Sequence, residues 1–293
     1  MNPIIKQFLR STIKRLSFIP PKLLIYIEYL YHLHRIPNLA NPRRFTEWIQ
    51  WYKLNYRNTL MFCCVDKYEV RSFVASRGLG RYLNTLLQVC DDANHIDYSN
   101  LPKRFVIKTT DGGNGDNVFV CQDKSKINIE TVNQMINSWR DKGVGQTSGE
   151  WAYTGCKGSR IIVEDYLADP DSKDGSIDDY KFLCYNGIFR YLWIDKNRYS
   201  NHKRGFWNER LEFLKGVKSD HPTFNDAPPL PSNIYEMIKI AEKLASGFPF
   251  VRIDLYNIRG KIYFGEMTFY PWSGYVQYSP DAFDYELGKY FEL

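Results

Sequence analysis

The spacing of apolar residues changes along this chain, and each change marks a different kind of element. Residues 45–56 and 66–77 place apolar side chains at helical intervals, and the second run stops at Gly78 and Gly80, where a glycine terminator is expected. From Arg104 the texture becomes strand-like, with apolar runs at 105–108 and 118–121 on either side of a glycine-rich turn. Helical spacing returns at 131–142, and a strand at 160–164 follows a polar stretch. Runs at 180–185 and 189–194 flank Asn186-Gly187, a pair that predicts a tight hairpin. A helix at 234–246 then leads into runs at 250–256 and 261–269, which predict another hairpin. The order of elements implies an α+β fold built on antiparallel pairs, without regular βαβ alternation.

Composition changes this picture mainly at the N-terminus. Residues 1–38 combine Lys6, Arg10, Lys14, Arg15 and Lys22 with Ile4, Phe8, Leu9, Ile13 and Leu16, interrupted by Pro20 and Pro21. The apolar stretch is too short to span a bilayer, and no small-residue cleavage site follows it. Two readings stay open: a basic amphipathic segment lying on an anionic membrane surface, or a helix packed on the protein's own core. Elsewhere the net charge of +6 is dispersed, which argues against nucleic acid as a partner. Cys63, Cys64, Cys90, Cys121, Cys156 and Cys184 form no C-x-x-C pair, so reduced thiols in a cytoplasmic protein are expected, and structural zinc is not.

Two segments carry chemistry. Residues 105–120 read as a strand, a loop holding Gly112, Gly113 and Gly115, and a second strand. Glycines let successive backbone N–H groups turn toward a phosphate. A Walker loop or dinucleotide fingerprint would hand over to a helix, whereas here the chain returns as a strand, so the loop reads as a hairpin lid. Lys108 ends the first strand, where its ammonium can meet a phosphate oxygen. A mobile surface hairpin is the alternative.

The second segment is 251–269, an apolar hairpin interrupted by polar residues. If Ile258-Arg259-Gly260 forms a three-residue loop, Asp254 faces Phe264 and Arg252 faces Glu266. Side-chain alternation then projects Arg252, Asp254, Glu266 and Thr268 from one face and sends Ile253, Leu255 and Met267 to the other. Two carboxylates and a hydroxyl would converge, an oxygen donor set that selects magnesium, with manganese as the alternative, over zinc. An Arg–carboxylate ion-pair network on a solvated sheet face is the competing reading.

With these residues in view, the chain resembles ATP-grasp proteins, and specifically the TupA-like family linked to teichuronopeptide biosynthesis. The landmarks are Phe45-Thr46-Glu47, the run from Asp66 to Arg71, the Lys108 strand with its glycine loop, the run from Ile162 to Leu167, and Asp179-Tyr180-Lys181-Phe182. The ending, F-P-F-V-R-I-D-L-Y followed by Y-F-G-E-M-T-F-Y-P, is the most specific. The resemblance implies an ATP-grasp fold with an N-terminal region at 1–100, a lid subdomain at 101–165 and a C-terminal catalytic, metal-binding subdomain at 166–293. It implies that Lys67 and Lys108 hold ATP phosphates under the glycine loop. Glu164 and the backbone after it would form the adenine-side hinge, with Asp179 or Lys181 near the ribose and phosphates. Asp254 and Glu266 would bind magnesium, and Arg252 would stabilise the transition state. Thr268 stands where the superfamily has Asn, which puts the second metal position in doubt, and Trp48 stands where a Lys is expected.

The function so implied is an ATP-dependent carboxylate–amine ligase of bacterial surface-polysaccharide biosynthesis, joining an amino acid to a sugar acid through an acyl phosphate. Tyr270, Trp272 and Tyr275 follow the metal strand and could stack on a sugar ring, or serve ordinary packing. Two other readings stand beside this one. One is a sugar-nucleotide glycosyltransferase, for which Asp178-Asp179 loosely mimics an Asp-x-Asp motif; the other is a non-catalytic nucleotide-binding subunit.

Overall fold

The computed structural model describes residues 20–112, 117–142, 149–155 and 158–292. The N-terminal basic stretch 1–19, together with Gly113 and Gly115 of the glycine loop, lies outside the described residues. Helix α1 (Pro21–Leu33) starts with proline in its first turn and stops at His34, whose φ of 55° is left-handed. It buries Ile25, Tyr29 and Leu33 against the body, and the Tyr29 hydroxyl lies 2.7 Å from Thr46 Oγ1. Its other face leaves Leu23, Ile27 and Leu30 exposed. This helix therefore packs on the core while keeping an apolar outer stripe. Among the described residues, no helix is long and apolar enough to cross a membrane.

Helix α2 (Phe45–Asn55) is anchored by Glu47, whose carboxylate accepts backbone N–H groups of Asn38, Arg43 and Arg44 at 2.9, 3.0 and 3.2 Å. Two short helices follow, α3 (Leu60–Val65) and α4 (Glu69–Ser76). The helix expected over 66–77 begins later, because the Asp66 carboxylate accepts the Tyr68 and Glu69 N–H groups, both at 2.9 Å, and so caps it.

Two antiparallel sheets complete the architecture. The first has the order β1 (Leu86–Cys90), β4 (Ile161–Asp165), β2 (Phe105–Thr109), β3 (Val118–Cys121). Its first strand comes from before residue 101 and had no counterpart in the sequence pattern. Helix α5 (Ile129–Lys142) covers this sheet, and Val132 and Ile136 share a small core with Phe105, Ile107, Ile161 and Val163. The second sheet has the order β7 (Lys203–Trp207), β6 (Ile188–Lys196), β5 (Asp179–Tyr185), β8 (Phe250–Ile258), β9 (Lys261–Thr268). Helix α6 (Ile234–Ala245) lies against β5, β6 and β8, burying Met237, Ile240 and Leu244, and helix α7 (Ala282–Gly288) packs on α2. The hairpin expected at Asn186-Gly187 forms with Tyr185 opposite Ile188, and both turn residues have positive φ, 51° and 79°. Cys63, Cys64, Cys90, Cys121 and Cys184 are free thiols.

Candidate active site

The β8–β9 hairpin sets the site, and its register differs from the one the sequence suggested. The connection is a two-residue turn, Arg259-Gly260, with φ values of 51° and 85°, and Ile258 stands opposite Lys261. Such a turn alone would carry Asp254 opposite Gly265 and send Glu266 to the far face. The register shifts after Leu255 and Phe264, so Gly265 becomes a bulge; Asp254 then faces Glu266, and Arg252 faces Thr268. Glycine is required there by space: a Cβ on Gly265 would sit 2.9 Å from the Asp254 carbonyl oxygen and 3.3 Å from the Tyr256 ring. The expected grouping of four residues is thus reached through a bulge, with the two carboxylates directly opposed.

Arg252 gathers this group. Its Nε and Nη2 donate to the two oxygens of Asp254, each at 2.7 Å, and Nη2 also donates to Glu266 Oε1 at 2.9 Å and Thr268 Oγ1 at 3.1 Å. Bidentate pairing of this kind is strong and directional. From β5, opposite Asp254, Lys181 donates to Asp254 Oδ2 at 2.7 Å and also bonds Asp179. Asp179 accepts from Arg198 at 3.1 Å through the same oxygen, and its other oxygen, Oδ1, is buried without a partner among the described residues. Burial pushes the Asp254 carboxyl up to about 6 despite Arg252 and Lys181, since Asp179 and Glu266 crowd it with like charge. Burial acts on Glu266 in the same direction, yet Arg252, Lys181 and Lys67 outweigh it and hold that carboxyl at about 2. The Glu266 side chain remains 46% exposed, toward the cleft.

The lid sheet supplies cations to the opposite wall. Lys108 donates to Glu164 Oε2 at 2.8 Å, and Arg71 donates to Oε1 of the same carboxylate at 3.0 Å. Lys67 is tied down through its backbone N–H, which donates to the Thr110 carbonyl at 2.9 Å, while its ammonium reaches the Gly112 carbonyl. Burial lowers the Lys67 ammonium below the ordinary lysine range; Glu266 across the cleft opposes the shift and Lys108 adds to it. One cleft is lined by Lys67, Lys108, Gly112 and Glu164 from the lid side and by Asp179, Lys181, Arg252, Asp254, Glu266 and Thr268 from the five-stranded sheet.

Sequence reasoning gave no role to a second charged group on that sheet. Arg204 of β7 donates to both oxygens of Asp195 in β6, at 2.6 and 3.0 Å, and His202 Nε2 lies 3.1 Å from Asp195 Oδ1. The Arg204 guanidinium lies 4.3 Å from the centre of the Trp272 ring and that of Arg252 lies 5.7 Å from it, so one indole joins the two groups. Trp272 and Ser273 hold positive φ values of 46° and 57°, and Lys53, 1% exposed, donates to the Ser273 carbonyl and hydroxyl at 2.7 Å. The only sequence trace of this group was the aromatic run after Thr268.

The donor set beside Asp254 suits a hard cation. Among the described residues, no three His, Cys, Asp or Glu side chains form a metal-holding group, so two carboxylates and a hydroxyl would leave most of a cation's shell to phosphate and water.

Two antiparallel sheets that close a cleft between a cation-bearing glycine hairpin and an Arg–Asp–Glu hairpin define a chain of the ATP-grasp class. Within that class, this chain belongs to the TupA-like ATP-grasp family, whose model matches residues 47–292. No curated protein matches it. Among solved structures it is similar to the D-alanine–D-alanine ligase of Helicobacter pylori, at 18% identity over 78% of this chain and 61% of that one, with a TM-score of 0.43. The corresponding ligase of Bacillus anthracis gives 14% identity, 70% and 56% coverage and a TM-score of 0.43. An L-amino acid ligase of Bacillus licheniformis gives 16% identity, 76% and 48% coverage and a TM-score of 0.46. The chain therefore spans 48% to 61% of the length of these ligases.

Proposed function

We propose that this protein is an ATP-dependent, ADP-forming carboxylate–amine ligase. The observation that carries the reading is the opposition, across one cleft, of Lys67 and Lys108 to the hairpin on which Arg252 gathers Asp254, Glu266 and Thr268. Lysines on one wall suit the negative phosphates of ATP, and Arg252 stands where charge develops on a transferring phosphoryl group. Asp254 and Glu266, with Thr268 beside them, would hold magnesium, which would supply charge neutralisation at the phosphates. Glu164 positions Lys108 and Arg71, and the unpartnered Asp179 Oδ1 suits a ribose hydroxyl. The substrate carboxylate attacks the γ-phosphorus, ADP leaves, and an amine then displaces phosphate from the acyl phosphate.

The substrates we assign are an amino acid and a hexuronate-containing sugar or lipid-linked glycan of a surface-polysaccharide pathway. Tyr270, Trp272 and Tyr275 line the cleft, Trp272 beside Arg252, and a sugar would meet them there, although Tyr275 also stacks on His32 and Trp272 packs against Trp193. The exposed stripe of Leu23, Ile27 and Leu30 beside Lys22 suits peripheral contact with an anionic membrane surface, where such a glycan would be presented. The glycosyltransferase reading draws less support, because the chain belongs to the TupA-like ATP-grasp family over residues 47–292. The test is ADP release with glucuronate or galacturonate against a panel of amino acids, with the product weighed by mass spectrometry. An amide formed in step with ADP supports the proposal; a glycosidic product from a sugar nucleotide without ATP cleavage overturns it.

A further inference from the structure

The geometry points to His202 as the base that deprotonates the acceptor amine, held in its working tautomer by Asp195. This inference rests on the ligase reading, which needs a base because an ammonium has no lone pair with which to attack. The carboxylates around the phosphoryl site are poor at the task. Asp179, Asp254 and Glu164 are each held by two cations, and Glu266 accepts from Arg252 and Thr268. His202 differs in kind.

Burial alone would raise the Asp195 carboxyl, but His202, Arg204 and Lys181 outweigh it and hold it well below the usual range, so it is an acceptor only. The 3.1 Å contact from His202 Nε2 is then an N–H donating to Asp195, which leaves Nδ1 as the ring's lone-pair acceptor. Nδ1 meets no hydrogen-bonding partner among the described residues. The dyad has the orienting half of a catalytic triad, and the partner it lacks is the nucleophile, which a substrate nitrogen would supply. The His221 ring lies against that of His202, tilted by 34° with centroids 3.7 Å apart, and both imidazoles line the cleft that holds Arg252. The Trp272 ring lies near both Arg204 and Arg252 and so links the arginine of the dyad to the phosphoryl site.

In the step assigned, the acceptor ammonium gives one proton to His202 Nδ1. The freed nitrogen pair forms the C–N bond to the acyl carbon as the C–O bond to the phosphoryl oxygen breaks. Phosphate leaves with that electron pair and takes the second nitrogen proton, giving a neutral amide, and the imidazolium returns its proton to solvent.

Hydroxylamine tests this directly, because it is already neutral near pH 7 and needs no base. In His202→Gln, which keeps a donor for Asp195, amide formation with the uronate and amino acid found by the panel should fall about 10²-fold or more. Hydroxamate formation from the same uronate and ATP should stay at the wild-type rate. His202→Asn serves as a second variant, and ATP affinity by calorimetry checks that each is folded. An unchanged amide rate overturns the proposal, and so does an equal fall in amide and hydroxamate, which marks a structural role. If the wild-type protein forms no hydroxamate with any acid of the panel, the ligase reading itself fails and the base falls with it.

Discussion

Two arginine–aspartate pairs stand on the same face of the five-stranded sheet, and they are balanced in opposite senses. Arg252 and Asp254 share one strand, Arg204 and Asp195 lie on neighbouring strands, and in both pairs the guanidinium grips both carboxylate oxygens. Their surroundings differ. Asp254 is crowded by Asp179 and Glu266, and burial pushes it up to about 6, whereas Asp195 is surrounded by Arg204, His202 and Lys181 and is held well below the usual range. Similar contact geometry therefore leaves one carboxylate crowded by like charge and the other held by an arginine, an imidazole and a lysine. On the proposed function a divalent cation would enter beside Asp254, where Glu266 and Thr268 offer further oxygen donors.

The strongest break of this comparison comes from the carboxylates. Asp254→Asn or Glu266→Gln removes charge where phosphoryl transfer needs a cation, and turnover should fall by about 10²–10³-fold with the fold retained by circular dichroism. Asp195→Asn should lower stability as well as amide formation, because Arg204 is left buried with one carboxylate fewer and His202 loses its orienting acceptor; a loss approaching ~3 kcal/mol in denaturant unfolding is expected. A stability loss at Asp254→Asn larger than that at Asp195→Asn, with turnover kept, would contradict the comparison. Arg252→Lys keeps a charge but not the fork, so ATP affinity should hold while kcat drops, which turnover and calorimetry together separate. Gly265→Ala presses a methyl onto the Asp254 carbonyl and should cost about 1–3 kcal/mol with loss of activity, as the bulge that aligns Glu266 shifts.

The smallest effect is a pH dependence at the segment both arginines touch. Burial lowers the Lys53 ammonium to about 8, below the ordinary lysine value, so the unfolded chain binds more protons above that pH. The burial cost is full below pH 8 and is relieved as pH rises toward the ordinary range. The melting temperature of the wild-type protein should therefore gain on that of Lys53→Met between about pH 8 and pH 10. A constant difference would place the Lys53 charge elsewhere.

What the sequence could show follows from the length scale of each signal. The Asn186-Gly187 turn was legible because both residues accept positive φ. The grouping of Arg252, Asp254, Glu266 and Thr268 was legible from alternation, but its register was not. Arg259 adopts a left-handed conformation that its side chain does not advertise, and Gly265 looks like any strand glycine until its neighbours are in place. Strand Lys203–Trp207 escaped notice because a strand opening on Lys-Arg-Gly reads as a loop; Asp195 and Asp220 neutralise Arg204 only after folding. Nothing in the helical spacing of residues 45–56 marks Lys53 as buried, and its burial depends on the distant Ser273. The pairing of His202 with Asp195 is likewise set by strand register, which no local pattern records.

The central claim is that the cleft activates a carboxylate by phosphorylation, and oxygen transfer measures this most directly. A hexuronate labelled with heavy oxygen in its carboxylate is turned over with ATP, magnesium and the amine, and the inorganic phosphate is read by phosphorus NMR. An acyl phosphate requires one labelled oxygen to pass from the acid to each phosphate released. Phosphate that carries no label while amide accumulates, or a product formed with no ADP, would contradict the account.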